Sequence, residues 1–373
     1  MLDEFRERFP VTKRYAYLNH AAVGPLPRAA VERVTAIASS LAETGDELWH
    51  ERLAEVERVR ALAARLVHAR APHEIAFVQN TSDGLSVAAN GLDWRPGDNV
   101  VGAACEFPAN VYPWMRLAAE GVEYRQVEER GGRVDPDELL GLVDDRTRIL
   151  AMSWVQFASG FRSDLARLGA FCRARGVLFV VDAIQGLGAL ALDVEREHVD
   201  VFAADAHKWL LGPEGIGLLY VSDRVVERIA PARVGWTSVK DWIKWTRYDL
   251  TYRDGAGRYE PGTLNTLGIY ALGVSLELLL EAGTGAIEAR ILGLTDQLAR
   301  GLEARGMTVV SSRRPGEASG IVAATHPERS PGDLVAHLRD RGILVAHRAG
   351  RLRISPHFYN TPGEIDQLLG ELG

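Results

Sequence analysis

Residues 202–221 read FAADAHKWLLGPEGIGLLYV. Two apolar runs of strand length flank His207 and Lys208, and the return between them passes through Gly212 and Gly215. Apolar runs without polar alternation are strands buried on both faces, the habit of a mostly parallel sheet. A lysine placed just past such a strand stands at the rim of the sheet, where open α/β folds hold their ligands. A lysine on a solvated turn needs no such setting, and the remaining sequence decides between the two.

Further runs of the same texture, EIAFVQ, NVVGAA, RILAMSWV and VLFVVDA, alternate with helical patterns such as DLARLGAFCRARG. Residues from about 70 to 270 therefore form one large α/β unit. Before it, from Pro27 to about Val67, apolar residues recur at spacings of three and four, which predicts two helices parted by Thr44-Gly45-Asp46. After Gly285 the texture changes to helix, two strands, helix, two strands and helix, a smaller α+β domain that faces the large one across a cleft. The chain thus divides into an N-terminal segment over 1–26 that packs with the small domain, a large domain over 27–284 and a small domain over 285–373.

Composition narrows the function classes. With 373 residues, 47% of them hydrophobic, the chain has a sizeable core. Its 43 basic residues stand against 50 acidic ones, a formal charge of -7 without a basic stripe, which argues against nucleic acid and anionic membrane as partners. Apolar runs stop well short of a membrane span, and MLDEFRERFP lacks the apolar core of a signal peptide. Cys105 and Cys172 require no disulfide framework, so a reducing cytoplasm is expected.

Several residues are candidates for chemistry, each beside an ordinary structural use. Asp182 and Gln185 in VVDAIQGLG follow a strand, where a carboxylate meets a ligand or caps the next segment. Gly186, Gly188 and Ala191 match GxGxxA, but Asp182 to Gln185 separate them from the strand and no helical pattern follows, which disfavours a nicotinamide oxidoreductase. Thr81 and Ser82 in NTSDGLSVAANGL either cradle a phosphate or cap a helix. Asp200, Asp205 and His207 lack the tight spacing of a zinc site, and no metal is expected. Arg353 in AHRAGRLRISPHFYNT alternates with apolar residues, and its planar fork suits a carboxylate. If the strand ends share one cleft, a carboxylate, a phosphate cradle and a lysine converge, the set that pyridoxal phosphate needs.

Taken together, from YLNHAAVGPLP to RISPHFYNT, the chain resembles the class V aminotransferase family of fold-type I pyridoxal-phosphate enzymes, the branch of cysteine desulfurases, selenocysteine lyases and isopenicillin N epimerases. The resemblance implies an α/β fold, with a mostly parallel seven-stranded sheet between helices and a smaller C-terminal α+β domain. It makes Lys208 the residue that carries pyridoxal 5'-phosphate as a Schiff base, Asp182 the partner of the pyridine nitrogen, and Gln185 the partner of the phenolic oxygen. Thr81, Ser82 and His207 become phosphate ligands, and Phe107 in EFPANVYPW the aromatic over the ring. Arg353 becomes the grip on the substrate α-carboxylate, with Asn19 and His20 on the substrate side. Thr263 in EPGTLNT becomes a residue that reaches the neighbouring subunit's phosphate, which implies a homodimer with shared sites.

Three departures stand out. Asp205 replaces a serine that binds phosphate in relatives, so its carboxylate is expected to turn away or to share a proton with a neighbour. Phe157 in WVQFASGFR replaces a polar residue. The loop that carries a catalytic cysteine in cysteine desulfurases is missing between AHRAG and RLRIS, so persulfide chemistry on such a cysteine is not expected. The expectation is an enzyme acting on an α-amino acid or related amine, with Lys208 as general base. Transamination is placed first, with C–S or C–Se β-elimination and epimerisation as alternatives. A binder without turnover is disfavoured by the intact Lys208, Asp182 and Arg353.

Overall fold

The computed structural model describes residues 2–372. Its strands, in chain order, are β1 (Ala16–Tyr17), β2 (Ile75–Val78), β3 (Asn99–Ala103), β4 (Glu123–Val127), β5 (Thr147–Ser153), β6 (Leu178–Asp182) and β7 (Val201–Asp205). They continue with β8 (Gly217–Val221), β9 (Thr308–Val309), β10 (Val322–Thr325), β11 (Ile343–Leu344), β12 (Ala346–Arg348) and β13 (Arg351–Ile354). Seven of them form one sheet in the order β2-β8-β7-β6-β5-β3-β4. Every neighbouring pair is parallel except those of β8, which runs antiparallel to both β2 and β7.

All five residues of β6, of β7 and of β8 are buried, as strands covered on both faces require. Alternate side chains feed two cores. Phe179, Val181 and Phe202 meet Val59, Leu168 and Leu272 from helices Trp49–Leu66, Leu165–Arg175 and Thr266–Ala282. On the other side Leu178, Val180 and Val201 meet Leu85 and Trp114 from helices Thr81–Gly91 and Tyr112–Met115. The two early helices, Arg28–Thr44 and Trp49–Leu66, part at the expected break.

A third core belongs to the C-terminal residues. There β12-β13-β10-β9 form an antiparallel sheet, and Leu298, Leu334, Leu352 and Leu368 pack with it. Ala16 and Leu18 join this cluster from the other end of the chain, because β1 pairs in parallel with β11 and Asn19 bridges to Ser355. No single helix among the described residues is long and apolar enough to cross a membrane.

Candidate active site

The parallel strands deliver their carboxyl ends to one edge. Ser153 lies opposite Asp182 and Asp182 opposite Ala203, so β5 and β6 finish together and β7 runs two residues further to Asp205. Lys208 follows on the connection from β7 to β8. Helix Thr81–Gly91 starts three residues after β2 ends, capped by Asn80, whose side chain accepts from the Asp83 N–H. Thr81 and Ser82 thus occupy the first helical turn, and Thr81 Oγ accepts the backbone N–H of Asp205 at 3.0 Å. That bond ties the start of the helix to the end of the strand beside Lys208.

The lysine is held in a dry setting. Lys208 is 9% exposed and makes no salt bridge among the described residues, and its Nζ stands 5.6 Å from the centroid of the Phe107 ring. Burial draws its pKa down to about 8, against the pull of the Asp182 carboxylate. Burial also pushes the Asp182 carboxyl up, opposed by its acceptance of the Ile184 N–H. A cationic ring nitrogen set against Asp182 would draw it back down. Gly24 bonds its N–H to the carbonyl of His207, and a Cβ there would stand 2.1 Å from the Lys208 carbonyl, so only glycine fits that approach. Gly188, one of the glycines of the GxGxxA match, has φ +99° and would clash with the Trp209 carbonyl. Its use is to admit the lysine loop, not to cradle a dinucleotide.

Arg353 points a partly unpaired fork into this region. It is 1% exposed and Nη1 donates to the Phe157 carbonyl at 2.9 Å, while Nε and Nη2 are buried without a partner. Burial, with the nearby charge of Arg348, lowers its pKa to about 9. Phe157 packs its ring edge-to-face on Phe107, centroids 5.3 Å apart, so the two rings form one apolar wall near Lys208.

Gln185 is buried between Trp209, whose Nε1–H it accepts at 2.9 Å, and the Ala21 carbonyl, to which it donates at 3.0 Å. One amide hydrogen of Gln185 is left for a ligand. Asn19 keeps a buried, unpartnered Oδ1. His20 is a correction to the expected substrate contact, because it is fully buried with both nitrogens engaged. Burial and the neighbouring His357 hold it well below the usual histidine pKa, so it is neutral. Its Nδ1–H donates to the Ser355 carbonyl and its Nε2 accepts from Tyr359 Oη, which clamps the N-terminal segment to the small domain. Ser82 is exposed, and Thr263 is exposed beside a cavity of about 310 Å³ lined by Trp49, Trp236 and Trp242 rather than in the Lys208 cluster. Asp200 bonds the Phe179 N–H and pairs with Arg224 at the opposite end of β7 from Asp205, so no metal set forms from these residues.

Glu106 was not singled out from the sequence. It is buried and accepts from Ser153 N–H, Ser153 Oγ, Gln156 Nε2 and Asn110 Nδ2. These bonds fasten the segment carrying Phe107 to the end of β5. The signal was available in EFPAN, where an acidic residue closely follows the buried strand β3.

The Aminotransferase class-V family model matches residues 16–368. The chain belongs to the class V aminotransferase family. Among its class V relatives, a probable cysteine desulfurase of Methanothermobacter thermautotrophicus is 30% identical, covering 99% of this chain and 96% of its own. The fold matches a lysine-to-alanine variant of C-DES with glycine covalently linked to its pyridoxal phosphate, at TM-score 0.92, 26% identity and 98% coverage of both chains. The apo cysteine desulfurase of Thermococcus onnurineus matches at TM-score 0.88 and 25% identity, covering 99% of this chain and 96% of its own. This class V chain is therefore a pyridoxal-phosphate-dependent enzyme. The residues present fit the cofactor. Lys208 stands buried without an ion pair, the nearby buried Asp182 carboxyl makes no salt bridge among the described residues, and Arg353 keeps two unpaired donors, a set that suits a protonated ring beside the lysine and an anionic group at the arginine.

Only the neutral amine attacks an aldehyde. Uptake of pyridoxal phosphate by the apoenzyme is therefore expected to slow about tenfold per unit as the pH falls below about 8. Stopped-flow absorbance across this range measures it. A midpoint at the ordinary lysine value of 10.5 would contradict the buried setting of Lys208.

Proposed function

We propose that this enzyme is a C–S lyase that eliminates a sulfur group from the β-carbon of an α-amino acid, without a catalytic cysteine of its own. The observation that carries this reading is the hairpin between β12 and β13. Arg348 pairs with Arg351, so the turn is only Ala349-Gly350, both at positive φ, and no loop is available for a cysteine. Cys172 is buried and Cys105 half-buried, and burial pushes both thiols up, away from the reactive thiolate. The sulfur must then leave as a free product.

Likeness to C-DES supports this order of preference. A structure described as the cystine C–S lyase C-DES with its product cysteine persulfide matches at TM-score 0.91 and 26% identity. Transamination, placed first from the sequence, has no comparable support among the named relatives. The Phe107–Phe157 wall also suits a polarizable sulfur substituent, which packs favourably against ring edges.

In this reading the bound cofactor supplies an electron-accepting ring for the pair released at the substrate Cα. Asp182 keeps the ring nitrogen protonated, Thr81 and His207 hold the phosphate, and Arg353 grips the α-carboxylate. Lys208 removes the Cα proton. The Cβ–S bond then breaks with its electron pair on sulfur, which takes up a proton, and the released enamine hydrolyses to a keto acid and ammonia.

The test is a panel of sulfur amino acids, cystine included, offered without a keto-acid acceptor. Keto acid and sulfur product are expected to accumulate far beyond the number of sites, equally in the Cys105→Ser/Cys172→Ser variant. A single keto acid per site, with the cofactor left as its amine, would establish transamination instead.

The homodimer is also part of the proposal. Trp236, Ile243, Trp245, Tyr248 and Leu250 form an exposed apolar stretch, and Trp236 also lines the cavity beside Thr263. Sedimentation is expected to give twice the chain mass of 40.9 kDa, falling to one chain in Trp245→Glu/Tyr248→Glu. A wild-type monomer would remove Thr263 from the site.

A further inference from the structure

β7 ends in a carboxylate, Asp205, at the place where a phosphate is to be held, and a bare carboxylate there repels it. The structure gives that carboxylate a specific neighbour. Asp205 Oδ1 stands 2.9 Å from His207 Nδ1. The contact lies off the hydrogen-bond axis, and both atoms are buried with no other partner. A modest turn of the imidazole would bring the pair onto that axis, where one proton would be shared between the two atoms. The backbone of the same residue donates its N–H to Thr81 Oγ at 3.0 Å, which uses a lone pair of that hydroxyl and leaves its hydrogen free to donate.

From these contacts we propose that Asp205 is a positioning residue for the cofactor phosphate, setting the donor direction of both Thr81 and His207. His207 Nε2 makes no hydrogen bond among the described residues. With the bridging proton on the Nδ1 side, the pair presents an Nε2–H to the phosphate only when it holds two protons in all. It is then net neutral, whether the bridging proton sits on Asp205 or on His207. The carboxylate that repels a phosphate when bare thus becomes the anchor that turns His207 into a donor. The proposal rests on Lys208 being the cofactor lysine.

The experiment compares binding of pyridoxal phosphate and of pyridoxal to the apoenzyme, read by absorbance, in wild type, Asp205→Asn, His207→Gln and the double variant. Asp205→Asn keeps the size and the backbone N–H. It is expected to weaken pyridoxal phosphate roughly tenfold to a hundredfold, in the manner of a lost outer-shell orienting group, and to leave pyridoxal unchanged. The double variant is expected to be no weaker than His207→Gln, because Asp205 acts through His207. Nitrogen-15 spectra of the histidine-labelled holoenzyme should show a hydrogen on His207 Nε2 in wild type and none there in Asp205→Asn.

Equal loss of pyridoxal and its phosphate would reveal a merely structural residue and overturn the proposal. So would additive losses in the double variant, or an unchanged His207 spectrum. A wild type that takes up neither probe would overturn the Lys208 assignment and the proposal with it, an outcome distinct from the others.

Discussion

Lys208→Ala is expected to abolish turnover while leaving the protein able to hold pyridoxal phosphate. In the proposed mechanism the amine does two jobs that no neighbour shares. It links to the aldehyde, and it moves the proton at the substrate Cα. Loss of the proton transfer alone costs roughly 10²–10⁴-fold. The phosphate and ring contacts proposed for Thr81, His207 and Asp182 do not pass through the lysine, so the cofactor should stay bound without a covalent link. Turnover and the mass of the borohydride-reduced protein measure both parts. A variant that retains even a tenth of wild-type activity would place the base elsewhere.

Arg353→Met should move activity and stability in opposite directions. The guanidinium is buried with two of its nitrogens unpartnered, and its pKa is drawn down to about 9. The folded state therefore binds protons less readily than the unfolded chain between that pH and the ordinary arginine value. Stability rises with pH across the window, and at neutral pH the fold carries the cost of an unpaired charge. Methionine fills similar space without that cost, so the melting temperature of the substrate-free enzyme should hold or rise. For catalysis the loss should be about 2–5 kcal/mol in kcat/KM, the usual effect of truncating one partner of a buried charge pair. Arg353→Lys should not rescue it, since an ammonium lacks the planar fork. Calorimetry beside steady-state kinetics checks both signs. A lower melting temperature with unchanged kcat/KM would show that Arg353 is structural.

Six of the seven strands were legible because they are short, mostly apolar and closed by residues of another kind, whereas the edge strand β4, EYRQV, is polar and half-exposed and carries no such signal. Asp182, Asp205 and Lys208 each stand at or just past such an ending, and the structure brings those endings to one edge. What escaped were uses made across long separations or by the backbone. His20 looked like a cleft residue because nothing near it in sequence shows that Tyr359 and Ser355 enclose it. Phe157 was read as a lost polar side chain, yet its carbonyl steers Arg353, a service any residue type can perform. Asp205 illustrates a third kind. The conflict between carboxylate and phosphate was visible in the sequence, and the resolution proposed for it through His207 required a distance.

The clamp on the N-terminal segment governs when this enzyme can first exist during its synthesis. His20 and its Ser355 partner are 335 positions apart, and Gly24, a few residues further on, braces the backbone of the lysine loop. A contact of that span closes late, since the chain must lose the entropy of a very large loop before gaining it. The seven-stranded sheet has all its strands once Val221 has emerged from the ribosome, but the brace over Lys208 waits for residues beyond Ser355. A nascent chain therefore passes through a period in which every strand of the sheet is available while the clamp beside its lysine loop is not, and that period closes only once Ser355 and Tyr359 can reach His20.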